Sequence, residues 1–175
     1  MAVVSEANVR RRQHLTPPSS EWRGIYDSER NALFSYLRGA VHDDATAEDL
    51  VQDIFVSLLG AGDPPPPPYR KAWLYTVARN KVTDHYRRRS RQPARPFSGT
   101  EALLEDQRQD GEKTGWLELL GSLAPDTQEI IYLHLHGDMT FTEIAEVVGR
   151  SQGTVATWYR RGLETLRQQW QSERT

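Results

Sequence analysis

The sequence predicts an all-α protein: two small helical domains joined by a flexible linker, the C-terminal one a helix-turn-helix. Three observations carry this expectation. Apolar residues recur at helical spacing from about Glu21 to Arg91 and again from about Gly115 to Gln171, and little in the chain alternates as a strand does. Between these stretches, from Ser90 to Thr114, the composition shifts to Pro, Gly, Ser and charge, with few aliphatic side chains. In the second stretch a capping-box pattern, a glycine turn and a long polar helix follow in order. The expected organisation is a loose tail over residues 1–20, a first block over 21–91, a linker over 92–114 and a second block over 115–175. Fully extended, the segment from Ser90 to Thr114 could reach on the order of 80 Å at ~3.3 Å per residue.

The composition narrows the chemistry. With 175 residues the chain has room for one ordinary domain or two small ones. Lys plus Arg number 22 and Asp plus Glu 24, a formal charge of -2, which excludes a uniformly basic DNA-coating protein but leaves room for a local basic patch. Cysteine is absent, so disulfides, thiolate metal sites and a cysteine nucleophile are excluded. A mean hydropathy of -0.69 and the lack of an apolar run of ~20 residues argue against membrane insertion. Charge and polarity fill the first fifteen residues, where a signal peptide needs its apolar stretch, so a cytoplasmic protein is expected. Arg10, Arg11 and Arg12 read as part of a solvated tail.

In AEDLVQDIFVSLL, Leu50, Val51, Ile54, Phe55, Leu58 and Leu59 share one half of a helical wheel and predict a core face. Glu48, Asp49, Gln52 and Asp53 occupy the other half, which suits either a solvated face or a docking surface for a basic partner. Pro64 to Pro68 follow as a stiff polyproline spacer between two helices; a docking motif for a proline-binding partner is the lesser alternative.

The next segment, Tyr69 to Arg91, holds Arg70, Lys71, Arg79, Lys81, Arg87, Arg88, Arg89 and Arg91 against one acid, Asp84. Leu74, Val77, Ala78, Val82 and Tyr86 make its apolar stripe. Thr76, Arg79, Asn80, Thr83 and Arg87 share the opposite face, with Trp73 at its edge. Cationic groups that neutralise phosphates, amide and hydroxyl groups that reach base edges and aromatic rings that stack on unpaired bases suit single-stranded or melted DNA. The competing reading makes Trp73, Tyr75 and Tyr86 core residues and the basic cluster a solvated helix end.

In the second block Pro125 opens a helix that ends at Gly137. Thr140 and Glu143 form a capping-box pattern ahead of FTEIAEVV, Gly149 makes the turn, and Ser151 caps the long helix QGTVATWYRRGLETLRQQW. Small Ala145 stands where the helices cross, and Ile144, Val148, Val155 and Leu163 are expected to face the core. Gln152, Thr154, Ala156, Thr157, Trp158, Arg160 and Arg161 are placed to enter a major groove. The alternative is an αα-hairpin that binds nothing.

Taken together, AEDLVQDIFVSLL, AWLYTVARNKVTDHYRRRSR and LLGSLAPDTQEIIYLHLHGDMTFTEIAEVVGRSQGTVATWYRRGLETLRQQ, in that order, resemble a bacterial RNA polymerase sigma factor of the extracytoplasmic-function (ECF) type, from about Ile25 to Trp170. The resemblance implies that Glu48, Asp49, Gln52 and Asp53 dock on core RNA polymerase. It implies that Trp73, Thr76, Arg79, Asn80, Thr83 and Arg87 capture and melt the promoter -10 element. Gln152, Thr154, Thr157, Trp158, Arg160 and Arg161 would read the -35 element as duplex. It further implies an anti-sigma factor as a regulatory partner, and a linker whose acids Glu101, Glu105, Asp106, Asp110 and Glu112 mimic nucleic acid near the polymerase active centre. No cofactor, metal or catalytic group is expected. An enzyme using His42, Asp43 and Asp44, or His134 and His136, is the weaker reading, because two histidines two apart point to different sides of a helix. A regulator that uses only the helix-turn-helix leaves the basic aromatic helix unexplained.

Overall fold

A computed structural model describes residues 20–59, 64–89, 96–103 and 114–173. Eight helices account for most of the described residues: α1 (Ser20–Val41), α2 (Asp44–Leu59), α3 (Pro67–Arg88), α4 (Gly99–Leu103), α5 (Thr114–Gly121), α6 (Pro125–Leu135), α7 (Phe141–Val148) and α8 (Gln152–Glu173). The expected tail falls outside the described residues except for Ser20, as do Gly60 to Asp63 and Arg91.

Helix α1 buries Trp22, Ile25, Leu33, Tyr36, Leu37 and Ala40, which fall on one face at ~100° per residue. At its end His42 takes φ 59°, turning the chain so that Asp43 caps α2 by accepting a hydrogen bond from the Thr46 backbone at 2.8 Å. The Thr46 hydroxyl and backbone donors hold the Asp43 carboxyl below its usual range. Helix α2 buries Ala47, Leu50, Val51, Ile54, Phe55 and Leu58. Leu59 of the expected apolar half is 47% exposed, at the helix end. Ion pairs Arg30–Glu48 at 2.6 Å and Arg38–Asp44 at 2.9 Å join α2 to α1.

The proline run is only partly a spacer. Pro67 and Pro68 lie in the first turn of α3, with Pro66 as the extended cap at φ -53° and ψ 147°. A first helical turn has no intrahelical partner for its N–H groups, so proline loses nothing there. The Tyr69 N–H donates to the Pro66 carbonyl, and Arg70 ties the run down through the Pro65 carbonyl and Glu21.

The linker is not a bare tether. Within it, residues 96–103 lie against α1: the Ser98 N–H donates to the Gly39 carbonyl, and His42 Nε2 bonds the Pro96 carbonyl. His42 Nδ1 lies 3.0 Å from Glu101 but out of line for a hydrogen bond. A Cβ on Gly39 would stand 2.7 Å from both the Ser98 carbonyl oxygen and the Ala102 methyl, so glycine is what allows this approach. The short helix GTEAL escapes the sequence reading because five residues carry too little periodicity to register.

In the second block the turns around the helix-turn-helix hold, but the helix expected to end at Gly137 stops at Leu135, and Asp138 rather than the glycine is left-handed, at φ 50°. Pro125 opens α6. Thr140 and Glu143 form a reciprocal capping box, Gly149 is left-handed at φ 66°, and the Thr154 N–H donates to Ser151 Oγ. Ile144 and Val155 are fully buried, whereas Leu163 is 39% exposed, contrary to its expected core position. The crossing of α8 on α6 is made at Gly162, buried against Thr127, Ile131 and Leu123. His134 and His136 are packing residues: His134 Nδ1 meets the Met139 carbonyl beside Phe141 and Tyr159, and His136 stacks on Tyr132.

The two blocks share one hydrophobic core, with α4 wedged between α1, α5 and α6, and α3 packed against α7. Gly24 stands on the exposed side of α1, where an added Cβ would meet nothing within 4 Å. Gly24→Ala is therefore expected to raise stability by about 0.5–1 kcal/mol, read as a higher midpoint in urea at unchanged slope.

Candidate nucleic-acid interface

The acidic face of α2 is open. Asp49, Gln52 and Asp53 are exposed, while Glu48 is half-buried and held by Arg30. Because α2 spends its apolar half on α1 and α3, these acids contribute nothing to the core.

The basic face of α3 is divided. Asn80, Thr83 and Arg87 are exposed, with Arg87 near Asp84 at 3.3 Å and the Thr83 hydroxyl donating to the Arg79 carbonyl. Thr76 is half-buried and donates to the Ala72 carbonyl. Trp73 is half-buried and packs on Trp22 with ring centroids 5.9 Å apart, so it is not a freely exposed platform. Tyr75 is fully buried, as the competing core reading had it; Tyr86 is half-buried and donates to the Ala40 carbonyl.

Arg79 is engaged by the second block. Its Nε lies 3.3 Å from Glu129 of α6, and Glu129 also accepts from the Tyr36 hydroxyl at 2.8 Å. Half-burial disfavours the Arg79 charge, but Glu129, Tyr36 and Asp126 together outweigh it and the guanidinium pKa is raised. Burial first, then the Glu129 carboxylate, push the Tyr36 phenol well above its usual range, so it stays a neutral donor. Glu129 and Gln128 are 5% exposed; Gln128 accepts from the Gly99 N–H and donates to the Leu123 carbonyl. Neither stands out in the sequence, where two polar residues in a row on a helix read as solvated.

On α8, Gln152, Arg160 and Arg161 are exposed, and Thr154 and Thr157 are half-buried, with Thr154 hydrogen-bonded to Ser151. Trp158 turns toward the first block. Its ring lies under Arg150 at 5.8 Å, and with Arg161 it lines a groove of about 980 Å³ whose other wall includes Arg79, Val82 and Thr83 of α3. Arg79 and Trp158 thus face each other across the two blocks. Of the linker acids, only Glu101 lies among the described residues; Glu105, Asp106, Asp110 and Glu112 lie outside them, as do most residues of the loop before α3. Among the described residues, no cluster of three or more His, Asp or Glu side chains could hold a metal, and no helix is long and apolar enough to cross a membrane.

Comparison with known proteins agrees with this arrangement of helices. Residues 25–92 match the family described as Sigma-70 region 2, and residues 115–166 match Sigma-70, region 4. Relatives include the ECF RNA polymerase sigma factor BldN of Streptomyces coelicolor, 29% identical over 81% of this chain and 57% of that protein. RNA polymerase sigma factor YlaC of Bacillus subtilis is 28% identical over 82% of this chain and 88% of its own length. ECF RNA polymerase sigma factor SigL of Mycobacterium tuberculosis is 28% identical over 83% and 86%. Among solved structures, the sigma factor RpoE bound to the anti-sigma factor NepR, from Bartonella quintana, shares the fold at TM-score 0.59 and 20% identity, over 85% of this chain and 96% of that one. CnrH in complex with the cytosolic domain of CnrY does so at 0.59 and 24%, over 96% and 99%. The two matched regions together span well over half of the sequence, in the order that the acidic, basic and helix-turn-helix segments require, and the chain belongs to the ECF family of RNA polymerase sigma factors.

Proposed function

We propose that this sigma factor binds core RNA polymerase through the open acidic face of α2 and directs promoter-specific initiation with α3 and α8. In this reading Asp49, Gln52 and Asp53, with Glu48 at the edge, meet a basic surface of the polymerase. Arg79, Asn80, Thr83 and Arg87 hold the melted -10 strand, with Thr76 and Trp73 beside them. Gln152, Thr154, Thr157, Arg160 and Arg161 contact the -35 duplex, and Trp158 reaches it once the blocks separate. The chain acts in the cytoplasm, needs no cofactor and is not an enzyme: unstacking a base step costs a few kcal/mol, which stacking and phosphate contacts offset without covalent chemistry. The relatives solved with anti-sigma partners support an anti-sigma factor as a regulator of this chain as well.

The observation that carries the reading is the separation of charge onto two helices, with Asp49, Gln52 and Asp53 exposed on α2 and Asn80, Thr83 and Arg87 exposed on α3 beside Arg79. Runoff transcription with purified core polymerase and a promoter library tests it. Specific initiation that requires the chain supports the reading; tight duplex binding without polymerase and without initiation would sink it. Asn80→Ala isolates the -10 contact, since Asn80 is exposed and its loss removes no packing. Open-complex formation should fall roughly tenfold or more while polymerase affinity holds. Equal loss in both would place Asn80 elsewhere. Trp73→Ala is the less clean variant, because it also removes the contact with Trp22.

A further inference from the structure

We propose that Tyr69 is the platform on which an unpaired base of the melted promoter strand stacks, so that the DNA face of α3 begins at the proline run and not at Trp73. The proposal deepens the sigma-factor reading above and rests on it. Three observations lead to it.

First, Tyr69 is the one Tyr or Trp ring of α3 that the fold leaves open. It is 63% exposed, and among the described residues its side chain enters no hydrogen bond or ring contact. The other rings are engaged: Trp73 packs on Trp22, Tyr75 is fully buried, and Tyr86 is half-buried with its hydroxyl on the Ala40 carbonyl. A single exposed ring is common on protein surfaces, so its position decides what it means.

Second, that position is in line with the polar face already assigned to DNA. At ~100° per residue, Tyr69, Thr76, Asn80, Thr83 and Arg87 fall within a sector of roughly 60°. Along the axis the ring stands ~17 Å from Asn80 and ~27 Å from Arg87, at ~1.5 Å per residue. Arg70 lies off this line, donating to the Pro65 carbonyl at 2.9 Å and paired with Glu21. A ring for a base face, an amide and a hydroxyl for base edges and a guanidinium for phosphate thus follow one another along one side of the helix.

Third, the ring is presented on a fixed base. Pro66 caps α3, Pro67 and Pro68 lie in its first turn, and the Tyr69 N–H donates to the Pro66 carbonyl at 2.9 Å. Proline holds φ near about -65°, so the backbone around Tyr69 has little freedom to lose when DNA binds, and tyrosine has few side-chain torsions to fix.

The consequence is a division of labour on α3. Stacking tolerates any base, because every base has a flat face, so Tyr69 adds holding strength without base preference and leaves discrimination to Asn80 and Thr83. At ~3.4 Å per stacked nucleotide, the contacts of Tyr69 and Asn80 lie about five nucleotides apart, or fewer where the strand is stretched.

The test uses holoenzyme assembled from the full chain and core polymerase, on premelted promoters that carry 2-aminopurine at each position of the -10 strand in turn. One position should show fluorescence quenched by the ring. Tyr69→Ala should abolish the quenching there, while Tyr69→Phe and Tyr69→Trp keep it. Affinity for the premelted promoter should fall roughly tenfold in Tyr69→Ala, whichever base occupies that position, and return to within about threefold of wild type in Tyr69→Phe. Core polymerase binding without DNA should be the same in every variant. Tyr69→Ala holding the template as tightly as wild type overturns the platform. So does Tyr69→Phe as weak as Tyr69→Ala, since the contact would then run through the hydroxyl, and so does a loss confined to one base. Polymerase affinity falling with Tyr69→Ala overturns it as well, because the ring would then belong to a protein interface. All of these outcomes leave the sigma-factor reading standing while wild-type holoenzyme initiates specifically in runoff transcription; absence of that initiation overturns the reading itself, and the platform with it.

Discussion

Replacing Asp49 and Asp53 together by lysine is expected to weaken binding to core RNA polymerase roughly a hundredfold, measured by titration without DNA. Both side chains are exposed on α2 and neither takes part in its core face, which is made by Leu50, Val51, Ile54, Phe55 and Leu58. The helical signal and the melting temperature should therefore stay near those of the wild type, so lost affinity can be assigned to the surface. Charge reversal replaces attraction by repulsion at two points one helical turn apart, and the effect should shrink as salt is added. Unchanged affinity at low salt would mean that the acidic face is merely solvated.

Gly162→Val carries the other large effect, on the second block. Where α8 crosses α6, a Cβ at position 162 would stand 2.6 Å from the Thr127 methyl and 3.0 Å from Ile131 Cδ1. Thr127 is β-branched and in the first turn of a helix, so it has little freedom to retreat. The helices must move apart, at a cost of about 2–3 kcal/mol, partly offset by the few tenths that valine gains over glycine in a helix. A calorimetric scan should show the loss as a lower melting temperature, and -35 duplex binding should fall as the tilt of α8 changes. If stability is unchanged, the crossing is looser than its geometry indicates.

What could be read from the sequence divides along a physical line. Features set by neighbours in the chain were legible: the Thr140–Glu143 capping box, the left-handed Gly149, the Ser151 cap and the apolar face of α2 all depend on residues within one or two turns. Features set by distant partners were not. Glu129 meets Tyr36 across 93 positions and Arg79 across 50, and no periodicity encodes such pairings. Trp73 sits at the edge of a polar face by its spacing, but its surroundings are decided by Trp22, whose approach comes from the packing of α1 on α3. Leu163 and Gly162 exchange roles for a similar reason. The wheel favours the leucine for the core, but close approach of α6 requires the residue without a side chain.

The docking of residues 96–103 on α1 also sets a length scale for the DNA this chain can span. If α4 leaves its seat, the whole segment from Ser90 to Thr114 is available, and on the order of 80 Å corresponds to roughly twenty-four base pairs at ~3.4 Å per step. While α4 stays seated against Gly39, only residues 104–113 join it to α5, and their covalent limit is roughly 35 Å, or about ten base pairs. The seated helix thus acts as a stop on a ruler, shortening the covalent reach between the two blocks by more than half.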